Sequence, residues 1–292
     1  MQNNLHVLIM GGDARYLHVI RMLAQENITV YVIGYDHIHF NEINVQHVEL
    51  ESIDHSILNA IILPVAGTDT KGKVEVTYSD KSIYLTEQLL SCTPSNCVIY
   101  TGTSNNYLDH ATAATNRKLV KLFARDDIAI YNSIPTAEGA LKIAIEETDV
   151  TIHGSNVSIL GFGRVGMTVA RLFQSVGAHV SVAVRSSTAI ARITEMGFTP
   201  VQLRDLKQAI ETMDICINTI PDNVVDKTII SAMKPSMFII DLASKPGGTD
   251  FNFAAKQGIK ASHALGLLGK VASKSAGIII ANVLLSLLEE RA

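Results

Sequence analysis

The chain has 292 residues, of which 47% are hydrophobic and 18% charged, so it can fill two domain cores of ordinary size and does not resemble a disordered chain. Its formal net charge of −4 argues against a nucleic-acid surface, which requires clustered Lys and Arg. The sequence shows no secretion signal and no apolar run long enough to span a bilayer, and its three cysteines form no Cys-x-x-Cys pair, so we expect a cytoplasmic protein without a metal site.

The first half of the chain alternates apolar strands with helical segments. A strand over Leu5–Met10 is followed by Gly11 and Gly12 and then by a helix with apolar residues at a period near 3.6. The later strands predicted in this half are Ile28–Ile33, Ala60–Leu63, Cys97–Tyr100 and Ile128–Tyr131. This alternation is typical of β-α-β units and a parallel sheet.

The two halves meet near Asn132–Pro135. Pro135 suits the first turn of a helix capped by Ser133 or Asn132, and we predict that this helix, Thr136 to about Thr148, leads into a second domain. The strands predicted there are Val157–Leu160, His179–Val184, Ile215–Asn218, Phe238–Leu242 and Lys260–His263. A C-terminal helix, about Ser275–Leu288, is apolar enough to return and pack on the first domain.

We therefore predict an α/β chain with two doubly wound parallel-sheet domains, the second of them a Rossmann dinucleotide-binding domain. The first domain is predicted over residues 1–132 with the helix in 275–292, and the second over 133–274.

A glycine fingerprint lies between a strand and a helix in the second domain. In Gly161-Phe162-Gly163-Arg164-Val165-Gly166, the first glycine permits the tight turn, the second admits a diphosphate and the third lets the helix approach the strand. The amino end of that helix favours anions. We predict that these six residues bind a nicotinamide dinucleotide; a glycine-rich turn without a ligand is the alternative.

The next strand ends without the acidic residue that binds the adenosine ribose of NAD. Arg185, Ser186 and Ser187 stand there instead, and a guanidinium with two hydroxyls suits a 2′-phosphate. We predict NADP; in the alternative, Arg185 stacks on adenine and either NADP or NAD is accepted. The turn after the fourth strand, Asn218-Thr219-Ile220-Pro221, is predicted to border the nicotinamide half, although ordinary loop chemistry explains it equally well.

The first domain lacks a phosphate fingerprint and is predicted to be the substrate half. Arg15 could bind a carboxylate with two hydrogen bonds, and Lys245 of the second domain could hold another; Arg15 and Asp13 could equally form a local ion pair. Ser104 and Asn105 lie in a loop at a strand end, where they could donate to a carboxylate or simply form turns.

Several long strings resemble the A subunits of dipicolinate synthase from spore-forming bacteria. They are Gly11–Arg15, Lys118–Gly139, Thr151–Ser155, Arg192–Gly197, Asp214–Pro221 and Asp241–Phe251, and the resemblance extends over essentially the whole chain. It implies oxidation of a dihydrodipicolinate-type precursor from the lysine pathway to pyridine-2,6-dicarboxylate, with reduction of NADP. It also implies partnership with a flavoprotein-like B subunit, and it implies action in the mother cell during sporulation.

The catalytic proton acceptor is not fixed by any motif. Glu138, His263 and Lys274 are the candidates, and His263 could equally be an ordinary core or surface histidine. The precursor could also be the hydroxylated tetrahydro compound, with dehydration on the enzyme. We expect homo-oligomers as well. The competing hypotheses are a 2-hydroxyacid dehydrogenase of similar build and a non-enzymatic NADP-binding subunit.

Overall fold

The computed structural model describes residues 5–290, without the side chains of Leu268 and Lys270, and the chain separates into two compact units. The first unit contains the residues up to Ala129 together with the segment that begins at Ser273, and the second contains Ile130–Ala272. Residues 1–4 and 291–292 of the predicted first domain lie outside the described residues.

Each unit contains one six-stranded parallel sheet. The strands of the first unit are β1 (His6–Met10), β2 (Thr29–Ile33), β3 (Val45–His47), β4 (Ala60–Ile62), β5 (Val98–Thr101) and β6 (Lys118–Lys121). Those of the second unit are β7 (Asn156–Leu160), β8 (His179–Val184), β9 (Thr199–Gln202), β10 (Ile215–Asn218), β11 (Phe238–Asp241) and β12 (Lys260–His263).

The strand orders are β3-β2-β1-β4-β5-β6 and β12-β11-β10-β7-β8-β9, with every neighbouring pair parallel. Both follow the doubly wound order 3-2-1-4-5-6 of dinucleotide-binding folds, so the predicted fold class is confirmed.

Helices connect most of the successive strands. They are α1 (Ala14–Gln25), α2 (Glu87–Cys92), α3 (Asn106–Ala114), α4 (Asp126–Glu147), α5 (Arg164–Ser175), α6 (Ser187–Glu195), α7 (Leu206–Ile210), α8 (Lys227–Ile230), α9 (Phe251–Lys256), α10 (Leu267–Val271) and α11 (Ser273–Glu289). Within residues 5–290, none of them combines the length and apolarity needed to cross a bilayer.

Alternate residues of each central strand pack on opposite faces of its sheet. Val7 and Ile9 of β1 are buried in a core shared with α1 and α11, whereas Leu8 and Met10 are buried in a second core with α2 and α3. Because both faces are covered, the central strands are predominantly apolar. The second unit repeats the arrangement, with one core on the side of α4 and α5 and another on the side of α8 and α9.

Helix α11 lies against α1 in the first unit. A Cβ atom on Gly277 would stand 2.3 Å from the Arg15 carbonyl oxygen, so only glycine allows the two backbones to approach this closely. Ile280, Ala281 and Leu284 of α11 are fully buried in the same core as β1. The C-terminal helix therefore completes the first sheet's covering.

Two predictions near the junction of the halves are wrong. Residues Ile128–Tyr131 are not a strand, and Pro135 is not in a first turn, because α4 begins at Asp126 and continues through both. Asp126 and Asp127 favour the helix start through the helix dipole. Pro135 leaves the Tyr131 carbonyl without its helical donor, and Tyr131 is 54% exposed, so water can serve that carbonyl. Strands β3, β6 and β9 were not predicted.

Candidate functional site

The turn after β7 has the geometry that its three glycines predict. Gly161 has a φ of 95°, a conformation that favours glycine, and its amide donates to the Ala183 carbonyl. A Cβ on Gly166 would stand 2.3 Å from the Gly161 carbonyl oxygen, so this glycine lets α5 lie against the turn. Thr219 supports the turn from β10, because its hydroxyl donates to the Leu160 carbonyl at 2.8 Å.

The space in front of this turn fits a diphosphate. Among the described residues, no atom lies within 4 Å of the position that a Cβ on Gly163 would take, and no side chain caps the amino end of α5. Phe162 packs edge-on against Phe198, and Val165 packs against the neighbouring core. The positive end of the α5 dipole thus faces an open glycine.

Arg185, Ser186 and Ser187 are exposed at the carboxyl end of β8. The Ser186 hydroxyl accepts the Ala189 amide and caps α6, while Ser187 is the first residue of that helix. Arg185 donates from Nη2 to the Asp222 carboxylate at 3.3 Å, and both side chains are more than 60% exposed. An exposed pair of this kind is weak, so Arg185 remains available to an anionic ligand.

The turn Asn218–Pro221 is shaped by the Asn218 side chain. Its Oδ1 accepts the Ile220 amide and its Nδ2 donates to the Ile220 carbonyl, each at 3.0 Å. Asn218 is fully buried, and its Nδ2 also donates to Asp241. This amide is therefore occupied by the chain's own groups, and ligand contact from this turn remains a prediction.

Lys245 and His263 belong to neighbouring loops of the second unit. Lys245 is exposed in the loop that follows β11. His263 ends β12, where its Nε2 lies 3.1 Å from the Ala243 carbonyl and its ring stacks on Phe251 with centroids 5.3 Å apart. The imidazole therefore contacts the backbone of the loop that carries Lys245.

Arg15 and Asp13 form a bidentate ion pair at the start of α1. Nε of Arg15 donates to Oδ1 at 2.9 Å and Nη2 donates to Oδ2 at 2.6 Å, and Oδ1 also accepts the Arg15 amide. Burial alone would raise the pKa of Asp13, but the hydrogen bonds and charge of Arg15 outweigh burial and lower that pKa. The Arg15 side chain is only 15% exposed, so its guanidinium is held in one orientation.

The glycine turn of the first unit is filled by the chain itself. The Gly12 amide donates to the Glu75 carbonyl at 2.9 Å, and a Cβ on Gly11 would stand 2.3 Å from that oxygen. The Tyr35 hydroxyl donates to the Gly11 carbonyl. The donor that would meet a phosphate in a dinucleotide fold is thus already used, which agrees with the missing fingerprint.

Ser104 and Asn105 are both engaged in the loop before α3. The Ser104 hydroxyl donates to the Asp109 carboxylate at 2.8 Å. Asn105 caps α3 by accepting the Leu108 amide, and its Nδ2 donates to the Thr68 carbonyl. These contacts are turn-forming, and a role in substrate binding stays a prediction.

The other two candidate proton acceptors lie on helices in different units. Glu138 is exposed on α4, next to Gly139, which packs against Leu267. Lys274 is exposed in the first turn of α11, near His18. Burial lowers the pKa of His18, and the charges of Arg21 and Lys274 lower it further.

Sequence reasoning missed the structural importance of Asp241 and Glu75. Asp241 reads as a polar residue at a strand end, but it is fully buried and accepts several hydrogen bonds. Glu75 acts through its backbone, which no side-chain motif could reveal.

Two family models match the chain. The model of the N-terminal domain of the dipicolinate synthase A subunit matches residues 6–123, and the model described as "D-isomer specific 2-hydroxyacid dehydrogenase, NAD binding domain" matches residues 110–245. The second match includes the glycine fingerprint and the following strand. It supports a nicotinamide dinucleotide as cofactor and an oxidoreductase as the class of protein.

Relatives match over nearly the full length of the chain. It is 49% identical over 290 residues to the dipicolinate synthase A subunit of Bacillus subtilis (strain 168), covering 99% of this chain and 98% of the relative. The crystal structure of the Bacillus subtilis A chain has a TM-score of 0.96 at 49% identity, covering 99% of this chain and 97% of that one. The crystal structure of the A subunit from Bacillus halodurans has a TM-score of 0.94 at 50% identity, covering 97% of each chain.

Proposed function

Because the chain belongs to the family of dipicolinate synthase A subunits, we propose that it oxidises a dihydrodipicolinate-type precursor to pyridine-2,6-dicarboxylate with NADP as the hydride acceptor. The observation that carries the proposal is the open glycine turn at Gly161–Gly166, which fits a diphosphate, in a chain of this family. Bound NADP supplies the hydride-accepting nicotinamide. The reaction removes one hydride and one proton from the ring, and aromatisation provides much of its driving force.

Arg15 is the proposed anchor for one carboxylate of the substrate. Its Nε–Nη2 edge is held by Asp13, which leaves the outer N–H groups of a mostly covered guanidinium for a ligand. Arginine binds carboxylates with paired hydrogen bonds, and a fixed orientation reduces the entropy lost on binding. Lys245 is the proposed second anchor, as an exposed ammonium on the loop after β11.

We assign substrate binding to the domain of residues 1–132 with 275–292, and dinucleotide binding to residues 133–274. The proton released from the ring needs an acceptor, for which Glu138, His263 and Lys274 are the candidates. The Nε2 atom of His263 already faces the Ala243 carbonyl, so its Nδ1 atom is the one that would accept a proton. A hydroxylated tetrahydro precursor, dehydrated before oxidation, is the alternative substrate.

The biological setting follows the family. We propose a cytoplasmic enzyme of the mother cell that forms homo-oligomers and also acts with a flavoprotein-like B subunit. The word "subunit" in the names of its relatives supports a multi-subunit enzyme.

A 2-hydroxyacid dehydrogenase is the second candidate, favoured by the match of residues 110–245 to the NAD-binding domain of that class. A cofactor-binding subunit without catalytic activity is the third hypothesis. All three hypotheses require a bound dinucleotide, so cofactor binding does not distinguish them. Which substrate the protein turns over, if any, does.

The test is an assay of the purified chain, with and without a candidate B subunit, on freshly prepared lysine-pathway precursor and NADP. We expect the ultraviolet absorbance of the pyridine product to rise together with NADPH, and a Gly163→Ala variant to reduce both. A panel of 2-hydroxy acids is tested in parallel. NADPH formed only from a hydroxy acid would favour the dehydrogenase alternative, and saturable NADP binding without product under any condition would favour the non-enzymatic one.

A further inference from the structure

The Asp241 carboxylate is fully buried at the carboxyl end of β11, where four groups donate to it. Oδ1 accepts Asn218 Nδ2 at 3.1 Å and the Ala243 amide at 2.9 Å. Oδ2 accepts the Gly248 amide at 2.8 Å and the Thr249 hydroxyl at 2.7 Å. Both oxygens are therefore saturated by neutral donors, which is how a protein keeps a buried carboxylate without a cation.

Three of these four donors lie on one loop, and the fourth, Asn218, ends β10. Asn218 shapes the turn Thr219–Pro221 after β10, through its two hydrogen bonds with Ile220. The other three donors lie on the loop of residues 242–249 after β11, one near its beginning and two at its end. Asp241 thus closes this loop on itself and ties it to the turn after β10.

Backbone packing strengthens the same junction. A Cβ on Gly248 would stand 2.4 Å from both Asn218 Nδ2 and the Ile220 carbonyl oxygen, so the two loops are in direct contact. The Val225 amide donates to the Gly248 carbonyl at 2.9 Å. The same loop also contacts His263, whose Nε2 lies 3.1 Å from the Ala243 carbonyl. The result is one continuous wall, defined here as residues 218–221 and 242–249.

The wall stands on the nicotinamide side of the proposed dinucleotide site. In a sheet of this order, the ligand lies across the carboxyl ends of the strands, and the adenosine ribose lies at the end of the second strand. That strand is β8, so the other half of the ligand extends over β10 and β11. The wall covers those two strand ends.

We propose that Asp241 is a positioning residue that holds residues 218–221 and 242–249 as one rigid wall for the nicotinamide half of the cofactor. This inference rests on the proposed dinucleotide site and adds a residue that acts without touching the ligand. Its consequence is selective: loss of the carboxylate weakens binding of the nicotinamide half and leaves the adenosine half unchanged.

Asp241→Asn is the informative variant because it preserves shape. Whichever oxygen becomes the amide nitrogen, it meets a backbone N–H, either that of Ala243 or that of Gly248. One donor then loses its acceptor and faces another donor. Thr249→Val is a milder variant that removes a single hydrogen bond, and it keeps the test valid should Asp241→Asn not fold.

Asp214→Asn is the matched control. Asp214 stands immediately before β10, at the opposite end of the same strand from Asn218, and its carboxylate accepts the Asn156 amide and Lys234 Nζ. Loss of this carboxylate should therefore destabilise the same sheet, while the contacts of residues 218–221 and 242–249 stay intact.

The experiment compares binding of NADPH, followed by nicotinamide fluorescence, with binding of adenosine 2′,5′-bisphosphate, followed by calorimetry. We expect Asp241→Asn to raise the Kd of NADPH roughly tenfold and to leave the Kd of the bisphosphate within about twofold of wild type. Thr249→Val should raise only the Kd of NADPH, roughly threefold. Asp214→Asn should lower the unfolding temperature and leave both Kd values unchanged.

If Asp241 had only a structural role, its loss would change the affinities for NADPH and for the bisphosphate by the same factor. Equal losses of affinity for NADPH and the bisphosphate in Asp241→Asn, or no loss for either, would overturn the positioning role while leaving the proposed function intact. If the wild-type protein bound neither NADPH nor NADH, the proposed cofactor would fail first, and this inference with it.

Discussion

The Asp13 carboxylate holds the Arg15 guanidinium side-on, through Nε and Nη2, and Nη1 lies on the outer edge of the guanidinium, outside this pair. If the outer edge of the guanidinium binds a carboxylate of the substrate, Arg15→Ala should weaken transition-state binding of the dicarboxylate precursor by about 2–4 kcal/mol. This loss is measured as a decrease in kcat/KM. The Kd of NADPH should be unchanged, because Arg15 belongs to the first unit. Steady-state kinetics and fluorescence titration measure the two quantities.

The chain offers a close control for this variant. Arg125 and Asp127 form a side-on pair with the same two-residue spacing, with Nε to Oδ1 at 3.1 Å and Nη2 to Oδ2 at 2.8 Å, but Arg125 is 40% exposed. Arg125→Ala should leave kcat/KM near the wild-type value. Equal losses in Arg15→Ala and Arg125→Ala would show that pairing alone, rather than substrate binding, explains the first result.

Gly163 and Gly166 lie in one turn but should respond differently to alanine. Gly163 has a φ of −86° and open space at the Cβ position, so Gly163→Ala should fold with an unchanged unfolding temperature. Its added methyl would enter the space assigned to the diphosphate and should weaken NADPH binding at least roughly tenfold. Calorimetric unfolding and nicotinamide fluorescence provide the measurements.

Gly166→Ala should instead destabilise the second unit. Its Cβ would stand 2.3 Å from the Gly161 carbonyl oxygen, which cannot move without opening the turn. Overpacking of this kind costs about 1–3 kcal/mol. Unchanged NADPH affinity in a folded Gly163→Ala would contradict the diphosphate site directly.

The central strands were predictable because they are buried on both faces. β1, β7 and β8 are rich in Val, Ile and Leu and are mostly buried, as a parallel sheet covered by helices requires. β3, β6 and β9 lie at sheet edges and are partly exposed, so their sequences lack that signal. The run Ile128–Tyr131 carried the signal but is too short to distinguish a strand from a helix.

The site was predictable where local sequence dictates local geometry. The strand–turn–helix at Gly161 needs only neighbouring residues, so its glycines could be assigned individual roles. Asp241 could not be recognised as a buried carboxylate, because its burial depends on Asn218 at the end of β10 and on Gly248 in the loop after β11. The turn at Gly11 and Gly12 in the first unit is likewise filled by the Glu75 backbone, which is distant from Gly12 in the sequence.

Arg185 should determine the preference between NADP and NAD. Arg185→Asp should weaken NADPH binding roughly tenfold or more through loss of charge-assisted bonds to the 2′-phosphate, and should favour NADH through new bonds to the ribose hydroxyls. Asp222→Asn should have the opposite effect, because it frees Arg185 from its exposed pair. The ratio of the two Kd values is the measurement, and no change in that ratio in either variant would discard the assignment.

Asp214 should make the second unit sensitive to acid. Burial alone would raise the pKa of this carboxyl, but the Lys234 hydrogen bond and the Asn156 amide outweigh burial and lower the pKa below its ordinary value of 3.8. A lowered folded-state pKa means that the stabilisation is fully present above the unfolded-state pKa and is lost as the pH falls through the folded-state pKa.

Asp214→Asn should therefore reduce the free energy of unfolding by about 1–2 kcal/mol at neutral pH. This difference from wild type should shrink as the pH falls through the folded-state pKa of Asp214. Urea unfolding across this pH series measures it, with Lys234→Met expected to remove part of the same pH dependence. A difference between wild type and Asp214→Asn that stayed constant with pH would show that the ionised carboxylate is not what stabilises this end of β10.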